Sequence, residues 1–250
     1  MRLLSLITLG LIANTAAADS SLQDRCFEVD GVANPEQAVL GCSSLIESGP
    51  IEQDVLLRAL HLRGIAKRQS GDMAGSIADF ESILAVTPDD TGTLRMLAWT
   101  YREQGAEEKA ETIYTDVLKQ DDHWQGWLSR CAVRTDLKKY YLAISDCSEV
   151  SERINLDTSA DAELRVSVMQ DAWFFTAFSY NQVNQPARAA TIARQGLGHP
   201  DINGRLYFMT LVGLWNSDQL AEIDALLAEG FEKHPGDLDL VYFQSEWEAR

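Results

Sequence analysis

The residues whose spacing most suggests chemistry are the cysteines. Cys26 and Cys42 are sixteen positions apart, and so are Cys131 and Cys147. Thiols can hold a metal, exchange disulfides or form structural bridges. Metal and redox sites use tight pairs such as C-x-x-C, or thiols with histidines at ligand spacing, and neither pattern occurs here. His61, His123, His199 and His234 lie far apart and form no i, i+4 pair. His123 follows Asp121 and Asp122, a tripeptide that could offer metal ligands but reads better as a polar loop between helices. H-E-x-x-H, a Walker-type glycine loop and G-x-S-x-G do not occur. Adjacent carboxylates such as Glu107-Glu108 are ordinary in so acidic a chain and suit a solvated helix start. The expectation is a protein that is not an enzyme, with no catalytic residues, no cofactor and no metal.

Composition bounds the compartment and the partners. Arg2, the apolar run from Leu3 to Ile12 and the small residues ending at Ala16-Ala17-Ala18 form a signal-peptide pattern. Cleavage is expected between Ala18 and Asp19, leaving residues 19–250 as a soluble, exported chain. The apolar run is shorter than the roughly 20 residues of a membrane span, and no cysteine sits at the cleavage point to carry a lipid. No N-x-S/T sequon occurs, which favours a bacterial periplasm. The formal charge is -17, from 21 Lys and Arg against 38 Asp and Glu. That balance opposes nucleic acid and anionic membranes, because binding to phosphates needs Lys and Arg.

The elements that must position these residues are helices throughout. Apolar residues recur at helical spacing, with few alternating β-branched runs. Pro35, Pro50, Pro88, Pro200 and Pro235 fall at expected helix ends, and Pro186 near the start of a helix, where proline is tolerated. The chain also repeats internally. Gly64, Gly71, Ser76, Phe80 and Pro88 form one set, with Ile77-Ala78-Asp79-Phe80 inside it. Leu94, Leu97, Ala98, Tyr101, Gly105, Ala110, Tyr114 and Val117 form the next. These offsets resemble the tetratricopeptide repeat (TPR), a helix-turn-helix unit of about 34 residues. Its small residues stand at positions 8 and 20, its turn glycine at 15 and its large residue at 24. Weaker copies give repeats at about 19–52, 57–90, 91–123, 124–157, 170–203 and 204–237, with connectors at 53–56 and 158–169 and a capping helix at 238–250. Position 7 departs from the pattern as Arg25, Arg63 and Arg130, and position 11 as Lys67 and Arg134.

The resemblance implies an all-α fold: an α-solenoid, a right-handed superhelix of about six TPR-like repeats. In its register each cysteine pair takes positions 8 and 24, facing each other across one helical hairpin. In an oxidising compartment this implies disulfides Cys26–Cys42 and Cys131–Cys147. It also implies a concave face built by the first helices, at positions 2, 5, 9 and 12. In the second and third repeats that face carries Arg58, His61, Arg68, Arg95, Trp99 and Arg102, which suit an acidic peptide or a free C-terminal carboxylate. In the fifth and sixth it carries Phe174, Phe178, Phe208 and Trp215, which suit apolar anchors. Two alternatives stand beside these faces. The arginines could pair only with neighbouring Asp and Glu, and the capping helix could cover the aromatics. The resulting expectation is a periplasmic scaffold or adaptor that binds a protein or peptide. The alternative is an accessory or regulatory subunit of an envelope enzyme or assembly complex.

Overall fold

The computed structural model describes residues 21–27, 34–199 and 203–250. The expected leader, its cleavage site and Pro200 lie outside the described residues. Every regular element among the described residues is a helix. Helix α1 covers residues 21–27, followed by α2 (Pro35–Glu47), α3 (Gln53–Gln69), α4 (Met73–Leu84), α5 (Thr91–Glu103) and α6 (Glu107–Gln120). Then come α7 (Trp124–Asp136), α8 (Tyr140–Leu156), α9 (Ala162–Gln182), α10 (Pro186–Gly196) and α11 (Gly204–Asn216). A 3-10 turn (Leu220–Glu222) leads into α12 (Ile223–Lys233), and α13 (Leu238–Glu248) follows. The chain forms two compact units, one ending at Ile113 and one beginning at Tyr114.

Local chemistry sets the helix starts. Asp72, Asp90, Asp161 and Asp237 each accept a backbone N–H from the first turn of α4, α5, α9 and α13. Pro35 and Pro186 occupy the first turns of α2 and α10, where a missing N–H costs nothing. Two segments differ from the sequence expectation. Residues 53–56 are helical because α3 begins at Gln53, and the connector at 158–169 is helical from Ala162. The α9 extension is stabilised by its own cap, Asp161 Oδ1 accepting from Leu164 N at 2.8 Å. It also buries Val168, which lies outside the repeat register.

Five helical pairs close through the same turn, in which the second residue after the first helix has a positive φ: Gly71, Gly105, Lys138, Asn184 and Asp218, between 58° and 86°. Paired bonds recur at each turn, for example Lys139 N to Arg134 O at 2.8 Å and Lys138 N to Thr135 O at 3.0 Å. This is the left-handed C-terminal cap of a helix. Glycine occupies it without strain, whereas a side chain there costs roughly 1 kcal/mol.

Packing inside each pair follows the residue sizes. The small position 20 is fully or almost fully buried in the second to fifth repeats, as Ser76, Ala110, Ala143 and Ala189. In the first unit Phe80 is fully buried and lies against Gly64, where an added Cβ would meet the ring at 2.9 Å. Gly64→Ala is therefore expected to destabilise the first unit by about 1–2 kcal/mol, overpacking outweighing the better helix propensity of alanine. Urea unfolding read by circular dichroism checks this; an unchanged or raised midpoint would show that the ring can yield.

The arginines that depart from the repeat pattern are not loose ends. Arg63 grips Asp79 with Nε and Nη2 at 2.8 and 2.7 Å, and Lys67 Nζ joins at 2.9 Å. Arg130 grips Asp146 the same way at 2.8 and 2.8 Å, and Arg134 Nη1 joins at 2.8 Å. In repeat register these are positions 7, 11 and 23 both times. The spare arginine nitrogen donates to a hydroxyl in the preceding helix, Arg63 to Ser43 at 3.2 Å and Arg130 to Thr115 at 3.3 Å. One ion-pair device thus ties both helices of a pair to each other and to their neighbour.

Candidate functional site

The cysteines form two bridges, Cys26–Cys42 and Cys131–Cys147, with S–S distances of 2.04 Å. All four residues are buried, so both bridges act as core staples across helical pairs. Among the described residues no group of three or more His, Cys, Asp or Glu is placed to hold a metal ion. His123 instead caps α7, its Nδ1 accepting from Gln125 N at 3.3 Å while Nε2 faces Asp157 at 3.4 Å. The cleft beside it, about 490 Å³, is lined by groups that already satisfy one another. Asp157 accepts from Ser159 Oγ, Trp124 Nε1 and Ser159 N at 2.6, 2.9 and 2.9 Å, and these bonds hold its carboxyl well below the usual carboxylate range. Arg153 pairs with Asp122 and Glu152 at 3.2 and 3.1 Å.

The basic face of the first unit is built on α3 and α5. Arg58 is exposed and stacks over Phe27, 4.1 Å from the ring centroid. His61 is half-buried, edge-on to Phe80 at 5.9 Å, and burial lowers its pKa more than Asp90 raises it. Arg68 is buried, 8% exposed, and does not point freely to solvent. Its Nη1 holds Glu103 at 3.1 Å, and its guanidinium lies 3.9 Å from the Trp99 ring centroid. Trp99 itself is 41% exposed. The result is an exposed indole fixed from behind by an anchored cation, with half-exposed Arg95 and Arg102 on the same helix. Both of those arginines already have partners within the protein. Glu103 thus engages Arg68 on this face, and the Trp99 indole stays open.

The aromatic face of the second unit divides in two. Phe208 and Trp215 pack against Phe243 of α13 at 6.5 and 5.4 Å, and Trp215 also meets Trp247 at 5.6 Å. The terminal helix thus lies on this half of the face. Phe174 and Phe178 remain half-exposed on α9, stacked at 6.3 Å, with Arg205 over Phe174 at 3.7 Å. Burial pushes the carboxyl of nearby Asp171 upward, against the pull of Arg205. Sequence spacing missed what stands opposite Phe178: Tyr140 at the start of α8, edge-on at 6.4 Å. Its only signal was an aromatic residue just after a turn position that held lysine in place of glycine.

No protein-family model matches the sequence, and comparison with curated proteins returns no match. Solved structures do match in fold. PilF of Pseudomonas aeruginosa aligns at TM-score 0.64 and 16% identity, over 92% of this chain and 98% of that one. A tetratricopeptide repeat protein of Parabacteroides merdae aligns at 0.53 and 13%, over 91% and 97%. A thermophilic TPR protein of Thermus thermophilus aligns at 0.54 and 17%, over 76% and 97%. The helical pairs, their shared turns and these likenesses together establish that this chain has the all-α tetratricopeptide-repeat fold.

Proposed function

We propose that this chain is a non-catalytic protein-binding scaffold of the periplasm, and that the face on α3 and α5 is where a partner segment docks. The observation that carries the reading is Trp99, an exposed indole lying over the buried Arg68, whose guanidinium is held by the more exposed Glu103. Holding a large aromatic side chain in place before binding removes the entropy cost of ordering it. Arg95 and Arg102 suit an acidic segment or a terminal carboxylate of that partner. Two buried disulfides support an exported protein, since such bridges persist in oxidising compartments. Among the described residues no helix is long and apolar enough to cross a membrane.

The test is capture from periplasmic extract by the wild type, beside Trp99→Ala and an Arg95→Ala, Arg102→Ala double variant. With the captured partner in hand, calorimetry should show Trp99→Ala weakening binding roughly 30-fold, the effect of losing an interfacial hot spot. Equal capture by all three proteins would remove this face from consideration. A stable, stoichiometric complex would favour the accessory-subunit reading over transient peptide binding.

A further inference from the structure

A second opening lies in the unit that begins at Tyr114. It is a pocket of about 300 Å³ between the α7–α8 turn and the middle of α9, and its wall is mainly apolar. Phe174, Phe175 and Phe178 line one side and Tyr140 the other. The rings brace each other: Phe175 meets Phe174 edge-on at 5.5 Å, and Tyr140 meets Phe178 at 6.4 Å. Each phenylalanine keeps part of its surface open.

At the rim stands Lys138. Lys138 is exposed, and alone among the described Lys and Arg side chains it makes no hydrogen bond, ion pair or ring contact. In a chain of net charge -17, acceptors for a cation are plentiful, so an unclaimed ammonium is unusual. Asp136 also lines the pocket, but it is already engaged within the protein. The backbone of Lys138 is unusual as well. Its φ is 59°, at the turn position where two other repeats carry glycine, Gly71 and Gly105. The closing bonds of the turn impose that φ, as they do at Asn184 and Asp218, and a lysine there costs some stability relative to glycine.

We infer that this pocket is a second docking site, taking a linear segment of a partner protein in which an aromatic side chain stands beside an Asp or Glu. The aromatic side chain fills the space between Tyr140 and Phe178, and the neighbouring carboxylate pairs with the Lys138 ammonium. Two features carry the choice of occupant: an apolar wall, and an uncommitted cation at its edge. The site rests on the reading of the chain as a protein-binding scaffold, but not on the Trp99 face.

The experiment is selection of randomised linear peptides displayed on phage against the mature protein, followed by binding of the selected peptides to Trp99→Ala and Lys138→Gly. Lys138→Gly is the informative variant, because it removes the cation while relieving the turn. The expected result is a family of peptides with an aromatic residue next to Asp or Glu. They should bind Trp99→Ala as they bind the wild type and bind Lys138→Gly about tenfold more weakly, the scale of a lost charge-assisted contact. The thermal midpoint of Lys138→Gly should rise at the same time, which a loss of fold could not produce. Peptides that lack acid, or that bind Lys138→Gly undiminished, overturn the site. If those same peptides fail on Trp99→Ala, the first face stands and this one falls. If no peptide is selected at all, both fall.

Discussion

Asp146→Ala should lower the stability of the second unit by about 3–5 kcal/mol, the cost of removing one partner from a buried ion pair. The Asp146 side chain is 2% exposed and accepts from Arg130 twice and from Arg134 once. Alanine would strand the guanidinium of Arg130, a residue 8% exposed, with no carboxylate and little water. The charge cannot be shed, since arginine stays protonated at any ordinary pH. Hydrogen exchange of α7 and α8 amides, with urea unfolding, measures the loss. Asp79→Ala should act in the same direction in the first unit, where Arg63 and Lys67 would be stranded. The exposed pair Lys119–Asp116, with side chains 70% and 57% exposed, is the control. Its removal should change stability by less than about 1 kcal/mol. If Asp146→Ala behaves like that control, water reaches the guanidiniums and the device is not a structural lock.

Opening the Cys131–Cys147 bridge should cost roughly 3 kcal/mol, the chain-entropy value for a loop of this length. Both cysteines sit in the core with Ala143, Val150 and Ile154, so the link joins α7 to α8 inside that core. Cys131→Ala with Cys147→Ala should lower the urea midpoint of the second unit and leave the first unit alone. The corresponding change at Cys26 and Cys42 should act on the first unit, where the bridge packs with Leu45 and Ala59. Reductant should reproduce both losses in the wild type and have no effect on a variant lacking all four cysteines. A wild type indifferent to reductant would mean that the thiols are not joined.

Much of the repeat was legible because the pattern within one helical pair is local. Gly64 and Phe80 are paired by the crossing of two helices joined by a single turn, and the cysteines occupy equivalent positions in other pairs. The spacing sixteen follows from that geometry. The partner of Arg63 or Arg130 was not legible. Asp79 and Asp146 are two among 38 acidic residues, and only the packed pair selects them. Arg68 illustrates the same limit. Its position on the helix marked it as a surface cation, while the structure places it beneath Trp99 and ties it to Glu103. Lys138 adopts a positive φ because the bonds closing the turn require it there, whatever the side chain.

By itself the sequence determined the helical class, the repeat register and the cysteine pairing. Each depends on residues a few turns apart on one helical hairpin, whose spacing is fixed by the 3.6-residue period. The tertiary structure alone decided which arginines are buried, which aromatics α13 lies against and which ring faces Phe178. Those depend on how neighbouring hairpins rotate and settle on one another, and that rotation is set by the sum of many side-chain contacts rather than by any spacing along the chain.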